Sequence, residues 1–127
     1  MKIDLDTGSL TQEQIHLIFD SLPFGITFAD ENDMVVYYNK KMGELFTRKK
    51  ENLNRTVQDC HAKKSVPAVN KILDSFRSGE ANSINHLEDI DGRKVMIRYI
   101  AVRNADGQYA GCLEVVADLD ELQSTGS

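Results

Sequence analysis

The sequence predicts an α+β domain with one five-stranded antiparallel sheet, helices packed on one face of that sheet, and a further helix at the N-terminus. Three observations lead to this class. Two strand-like runs come early in the chain, a helical middle follows, and three strand-like runs come last. Short polar or Gly-containing turns separate the runs, as in β-hairpins. The length of 127 residues suits one domain.

The N-terminal helix is predicted over residues 10–22. Apolar residues recur from Ile15 at the spacing of one helix face, and Pro23 ends the helix. Residues 1–9 are expected to form a flexible segment ahead of the domain, which is predicted to span residues 10–119.

The first hairpin is predicted from residues 25–29 and 34–38, which are joined by the polar turn 30–33. After it the pattern loosens, and Met42, Leu45 and Phe46 indicate one short helix.

A second long helix is predicted from Ser65, which suits the N-cap, to Gly79, which suits a left-handed C-terminal residue. Pro67 is tolerated in the first turn. One apolar stripe supports the helix; it consists of Val66, Val69, Ile72, Leu73 and Phe76.

Three strands complete the predicted sheet over residues 81–90, 95–103 and 109–117. Asp91-Gly92 and residues 104–107 form the turns between them. Residues 119–122 are predicted to form a short helix within a C-terminal tail, residues 120–127, whose end should fray.

Composition narrows the class of protein. Hydrophobic residues make up 41% and charged residues 28%, as in soluble globular domains. No run approaches the roughly 18 apolar residues of a membrane helix, and the N-terminus lacks signal-peptide features. We therefore expect a cytoplasmic protein without a membrane partner. The net charge of −5 argues against a nucleic-acid partner.

Charge is unevenly distributed along the chain. Residues 40–64 contain eight basic and three acidic residues, a net charge of +5, which leaves −10 for the rest. Two interpretations are open: solvated loops and short helices, or a basic rim that attracts an anionic ligand or partner.

Several segments resemble PAS domains. Residues 25–33 followed by 36–39 are similar to the opening PAS hairpin, and Asp91-Gly92 and residues 105–107 are similar to the later turns. More narrowly, residues 54–61, Lys64-Ser65 and residues 97–103 resemble a poorly characterised C-terminal PAS-like domain, often found behind a hemerythrin-like domain in bacteria and archaea.

The resemblance implies a sensory or interaction module rather than an enzyme, and we single out no catalytic residue. It also implies a pocket between the sheet and the central helices, which in PAS domains holds haem, flavin or a small metabolite in some cases. Fold alone does not choose among these ligands.

Cys60 and His61 are the main candidates for chemistry, because a thiol close to a helix start and to basic residues favours its thiolate. Three interpretations are open: structural packing of Cys60, a haem or metal ligand from His61 or Cys60, and a thiol redox sensor. The soft ligands of the chain are too scattered in sequence for a zinc site.

Lys63, Lys64 and Ser65 are the remaining ligand candidates, since a helix start with two ammonium groups suits an anion such as a carboxylate, a phosphate or a haem propionate. The alternative is a capped helix with two solvated lysines. On the final strands, Arg98 and Glu114 are expected to form a cross-strand ion pair.

The sequence thus predicts a signalling domain that binds a small ligand, haem being one candidate, and forms a homodimer through the first helix and the outer face of the sheet. A signalling protein is the further expected partner. The alternative is a ligand-free protein interaction module with a filled core.

Overall fold

A computed structural model describes residues 1–46 and 50–124 of the chain. These residues form seven strands and four α-helices. In chain order these are β1 (Lys2–Leu5), β2 (Gly8–Thr11), α1 (Gln12–Ser21), β3 (Gly25–Asp30), β4 (Val35–Tyr38), α2 (Lys40–Phe46), α3 (Val66–Ser78), β5 (Ser83–Ile90), β6 (Arg93–Arg103), β7 (Tyr109–Asp118) and α4 (Leu119–Gln123). Three short 3-10 helices, Lys50–Asn52, Gln58–Cys60 and Lys63–Ser65, lie between α2 and α3.

The central sheet has five strands in the order β4-β3-β7-β6-β5, and every neighbouring pair is antiparallel. This confirms the predicted fold class. One face, which we call the inner face, is covered by α2 and α3. Two buried clusters hold them there: Met42 with Val95, Ile97 and Val116, and Leu73 and Phe76 with Cys112.

The chain ahead of α1 forms a second, two-stranded sheet, which the sequence analysis did not predict. Strands β1 and β2 pair antiparallel from Lys2↔Thr11 to Leu5↔Gly8. The strands are four residues each, and every residue of β1 is exposed, so the hydrophobic pattern gave little signal. Residues 1–9 are therefore part of a hairpin, and their flexibility stays a prediction.

Helix α1 begins two residues later than predicted, because Leu10 and Thr11 belong to β2, and it ends just before Pro23 as predicted. Thr11 is the N-cap, and its hydroxyl and the Gln14 side chain bond reciprocally to the backbone as a capping box. At the other end, Leu22 is extended just before Pro23. Within residues 1–46 and 50–124, no helix combines the length and apolar composition needed to cross a bilayer.

Ser65 occupies the N-cap position directly before α3, as predicted, but it does not cap the helix with its side chain, whereas Gly79 ends α3 in the left-handed conformation as expected, with φ 81°. Ser65 has helical backbone angles, φ −91° and ψ −15°, and its side chain makes no capping hydrogen bond. The reason is that the 3-10 helix Lys63–Ser65 leads directly into α3, so Ser65 already lies inside a helical stretch.

The predicted ion pair between Arg98 and Glu114 is also wrong. In the β6–β7 register Arg98 is opposite Val115, and Tyr99 is opposite Glu114. Successive side chains of a strand point to opposite faces. Arg98 therefore points to the outer face, whereas Glu114 points to the inner one.

The C-terminal tail begins as a helix. The Asp118 side chain, which is 3% exposed, accepts a hydrogen bond from the Glu121 amide and so caps α4. It is also within 3.1 Å of Arg93. The expected fraying at residues 125–127 lies outside the described residues.

Asn39 connects four parts of the chain through one buried amide, which is 1% exposed. Its Oδ1 accepts hydrogen bonds from the backbone amides of Ile26 (2.9 Å) and Met42 (3.1 Å). Its Nδ2 donates to the carbonyl oxygens of Phe19 (2.8 Å) and Phe24 (3.0 Å). All four hydrogen-bonding positions of the amide are satisfied.

Replacing Asn39 should therefore destabilise the whole domain. We expect Asn39→Ala to lower the free energy of unfolding by about 2–4 kcal/mol, because it leaves two amides and two carbonyls without this partner. Chemical denaturation measures the loss. Asn32→Ala, a change at an exposed asparagine, is the control and should alter stability by less than about 0.5 kcal/mol. Equal stability of the two variants would contradict the role given to Asn39.

Candidate functional site

A small cavity of about 50 Å³ lies between the inner face of the sheet and helix α3. Its walls come from β3, β4, β6, β7, the segment 57–61 and α3. The lining residues are mostly apolar; they are Thr27, Ala29, Val35, Val57, Cys60, His61, Val69, Ile72, Leu73, Tyr99, Cys112 and Glu114.

A wider cleft of about 480 Å³ adjoins this cavity and opens to solvent. The two share Cys60, His61, Val69, Ile72, Tyr99 and Glu114. The remaining cleft residues are Asn52, Ser65, Ala68, His86, Glu88 and Ile97. The cleft has the volume of typical small-molecule sites, whereas the cavity is several times smaller.

The segment that carries Cys60 and His61 is hydrogen-bonded to the edge of the sheet beside β4. The Val57 amide donates to the Asp33 carbonyl (2.8 Å), and the Val35 amide donates to the Arg55 carbonyl (2.9 Å). Gln58 Nε2 then donates to Asp33 Oδ2 and to Asn70 Oδ1 on α3, both at 3.0 Å. These bonds fix the 3-10 helix Gln58–Cys60 between the sheet edge and α3.

Cys60 and His61 both line the cavity and the cleft, and their role in ligand binding stays a prediction. The half-buried Cys60 thiol contacts the Asn52 side-chain amide (3.7 Å) and the Asn52 carbonyl (3.8 Å). His61 Nδ1 is 2.8 Å from the Val57 carbonyl. Because a carbonyl only accepts, Nδ1 carries the hydrogen, and in the neutral ring Nε2 keeps its lone pair.

The other three predicted ligand residues do not all lie in the site. Ser65 lines the cleft, but Lys63 and Lys64 are exposed and line neither the cleft nor the cavity. Their anion-binding role stays a prediction. Within the basic segment 40–64, Lys41 pairs with Glu121 at 2.6 Å, and Arg48 and Lys49 lie outside the described residues.

Sequence reasoning missed the floor of the site. Thr27, Glu114 and Tyr99 are register partners on β3, β7 and β6, and together they form a polar row on the inner face. At the rim, His86 Nε2 is 2.9 Å from Glu88 Oε1. For the rim, the sequence signal was the spacing of residues 86 and 88, which puts both side chains on one face of a strand. The polar row depends on the pairing of three strands, so the sequence contained no signal for it.

The cavity alone is too small for haem, since about 50 Å³ is far below the roughly 300–1,000 Å³ of cofactor and drug-sized sites. His61 Nε2 is an acceptable axial donor, and His61 and Cys60 also line the cleft of about 480 Å³. Haem coordination by either residue stays a prediction. Over the described ranges, no three His, Cys, Asp or Glu side chains cluster to hold a metal ion.

The second cysteine, Cys112, faces the same cavity from β7 but is 7% exposed. Burial raises the pKa of its thiol to about 12, and Glu114 adds to the shift. A thiol with this pKa holds almost no thiolate near neutral pH, so Cys112 should be inert in the folded protein.

Alkylation should therefore distinguish the two cysteines. With a pKa of about 12, roughly one Cys112 thiol in ten thousand is ionised at pH 8, so iodoacetamide should modify Cys60 first. Mass spectrometry of Cys60→Ala and Cys112→Ala measures each rate separately. Both thiols should react equally in denaturant, and equal rates in the folded state would contradict the assignment. A Cys60 rate no higher than that of a model thiol would exclude the redox sensor.

Comparison with solved structures supports the architecture. The crystal structure of the C-terminal domain of a Streptococcus mutans protein is 31% identical, with a TM-score of 0.88 over 96% of this chain and 95% of that one. The PAS domain of Bordetella pertussis BvgS is 17% identical, with a TM-score of 0.65 over 87% of this chain and 92% of that one, and at this identity it shows the fold alone.

A third similar structure is that of the Vibrio cholerae VqmA dimer, described as a LuxR-type receptor; it is 24% identical, with a TM-score of 0.57 over 86% of this chain and 52% of that one. No curated protein matches the chain. A model of the PAS domain family matches residues 15–120. The chain therefore belongs to the PAS domain family.

Proposed function

We propose that this chain is a cytoplasmic sensory module, not an enzyme, that binds a small molecule in the cleft and passes the signal on by self-association. One observation carries the ligand-binding part: an open cleft of about 480 Å³ adjoins an apolar cavity in the core. A molecule can place its apolar part against α3 and still reach hydrogen-bonding groups on the sheet side.

The two walls of the cleft support this assignment because they differ in chemistry. Val69 and Ile72 supply apolar surface from α3. The sheet side and the segment ahead of α3 supply hydrogen-bonding groups, among them His61, His86 and Glu88. The ligand is therefore a molecule of mixed polarity.

Self-association is supported by apolar residues that α1 leaves exposed. Leu17 is 54% exposed and Ile18 is 46% exposed. Leu17 and Ile18 are adjacent, and exposed apolar residues that lie together are typical of surfaces that associate. Val36 and Leu87 are exposed as well, but they lie on β4 and β5, the two edge strands of the sheet. The similar Vibrio cholerae structure is also that of a dimer.

We further propose that the chain belongs to the PAS-like subgroup often found behind a hemerythrin-like domain, on the resemblance of residues 54–61 and 97–103. A signalling protein would then read the change in association. The ligand-free interaction module is the competing function, and the experiments below separate the two.

Ala68→Phe should block the ligand. Ala68 is exposed and lines the cleft, so a phenyl ring there occupies the cleft without disturbing the core. We expect native mass spectrometry of the purified wild-type protein to show a bound small molecule that Ala68→Phe lacks. Ala62→Phe, at an exposed alanine outside the cleft, is the matched control and should retain it.

A wild-type mass equal to that of the bare polypeptide, unchanged in extracts from several growth conditions, would favour the ligand-free module. A ligand retained equally by Ala68→Phe would place binding elsewhere.

Ile18→Glu should convert a dimer to a monomer, because it places a carboxylate within the proposed apolar contact. Light scattering after size-exclusion chromatography measures the mass. Gln12→Glu, an exposed position on the same helix, adds the same charge and should remain dimeric. A wild-type protein that is monomeric at every concentration would refute the self-association part.

A further inference from the structure

We propose that the Thr27 hydroxyl binds the polar end of the ligand inside the cavity, and that this end is an uncharged hydroxyl or carbonyl group on a compact carbon skeleton. The inference rests on the proposed function, since it names the chemical class that the same site takes. It is carried by an unsatisfied polar atom in an otherwise apolar cavity.

Thr27 is 5% exposed and lines the cavity from β3. Its Oγ1 is buried and has no hydrogen-bond partner among the residues that the structure describes. A buried hydroxyl without a partner costs free energy, and such groups are rare in native proteins. A ligand that supplies the missing hydrogen bond removes that cost.

The neighbours of Thr27 do not supply the bond. Its register partner on β7, Glu114, already has an interaction within the protein. On the other side its register partner on β4 is Tyr38, whose hydroxyl does not bond to Thr27 Oγ1 either. Further along the cavity wall lie the side chains of Ala29, Val35 and Leu73. None of these three side chains contains a hydrogen-bonding atom.

The chemistry of the ligand follows from these groups. A threonine hydroxyl both donates and accepts, so it matches a hydroxyl or a carbonyl oxygen equally well. A charged end is disfavoured against Ala29, Val35 and Leu73, because an ion there loses its hydration. Glu114 also lines the cavity, but it repels an anion and already has an interaction within the protein, so it is not a free partner for a cation. A cavity of about 50 Å³ admits only a small group of atoms.

Thr27→Val tests this assignment, because it removes the hydroxyl and keeps the branched shape. The probes are 2-propanol, which carries a hydroxyl, and xenon, which reports only whether the apolar cavity is accessible. Amide signals of Thr27, Ala29 and Cys112 in nitrogen–proton NMR spectra of the full chain follow the binding of each probe in the wild type.

We expect 2-propanol to bind the wild type and its affinity to fall about two- to tenfold in Thr27→Val, the loss of one net hydrogen bond. Xenon should bind both proteins alike. Thr27→Val should also melt no lower than the wild type, since the lost hydroxyl has no protein partner. Thr7→Val, at an exposed threonine, is the matched control and should change neither affinity.

Equal 2-propanol affinity in wild type and Thr27→Val would overturn the inference, and so would a cavity that admits neither probe. A cavity that holds only ordered water, which 2-propanol does not displace, would do the same. These failures differ from failure of the proposed function. If only the inference about Thr27 fails, the wild type still retains a molecule and Ala68→Phe still abolishes that retention. If only the proposed function fails, the wild type retains no molecule although 2-propanol binds through Thr27.

Discussion

The fold depends on the buried amide of Asn39. Its four hydrogen bonds join the end of α1, the turn before β3, the first residues of β3 and the start of α2. Helix α2 can then approach the sheet closely: a Cβ at Gly25 would be 2.8 Å from the Met42 Cα. Glycine is therefore required there, and the buried Met42 seals that end of the core. One side chain thus decides where two helices lie relative to the first strand.

The site depends on a second set of polar contacts, at the opposite end of the same hairpin. Gln58 bridges Asp33 and Asn70, and Arg77 of α3 also pairs with Asp33. The β3–β4 turn, the segment carrying Cys60 and His61, and α3 are consequently held as one unit. The cleft opens between this unit and β5–β6. On the α3 side, the entrance can widen only by moving residues that these bonds restrain.

Strand β3 connects the cavity to the proposed association surface on α1 through a chain of side-chain contacts. Thr27 points to the inner face and lines the cavity, whereas the adjacent Phe28 points to the outer face, opposite Tyr37 of β4. The Tyr37 ring lies 5.7 Å from the ring of Phe19 on α1, between their centroids. A ligand that shifts β3 by contact with Thr27 would therefore change the packing under α1.

The sequence alone determined the order and type of the central elements, because period-two and period-3.6 patterns, Pro23 and Gly79 act locally. It also singled out Cys60 and His61, which do line the site. Long-range packing decided the rest. Strand register, for example, separated Arg98 from Glu114. The row of Thr27, Glu114 and Tyr99 exists only where three strands pair, so no single segment of sequence contains it.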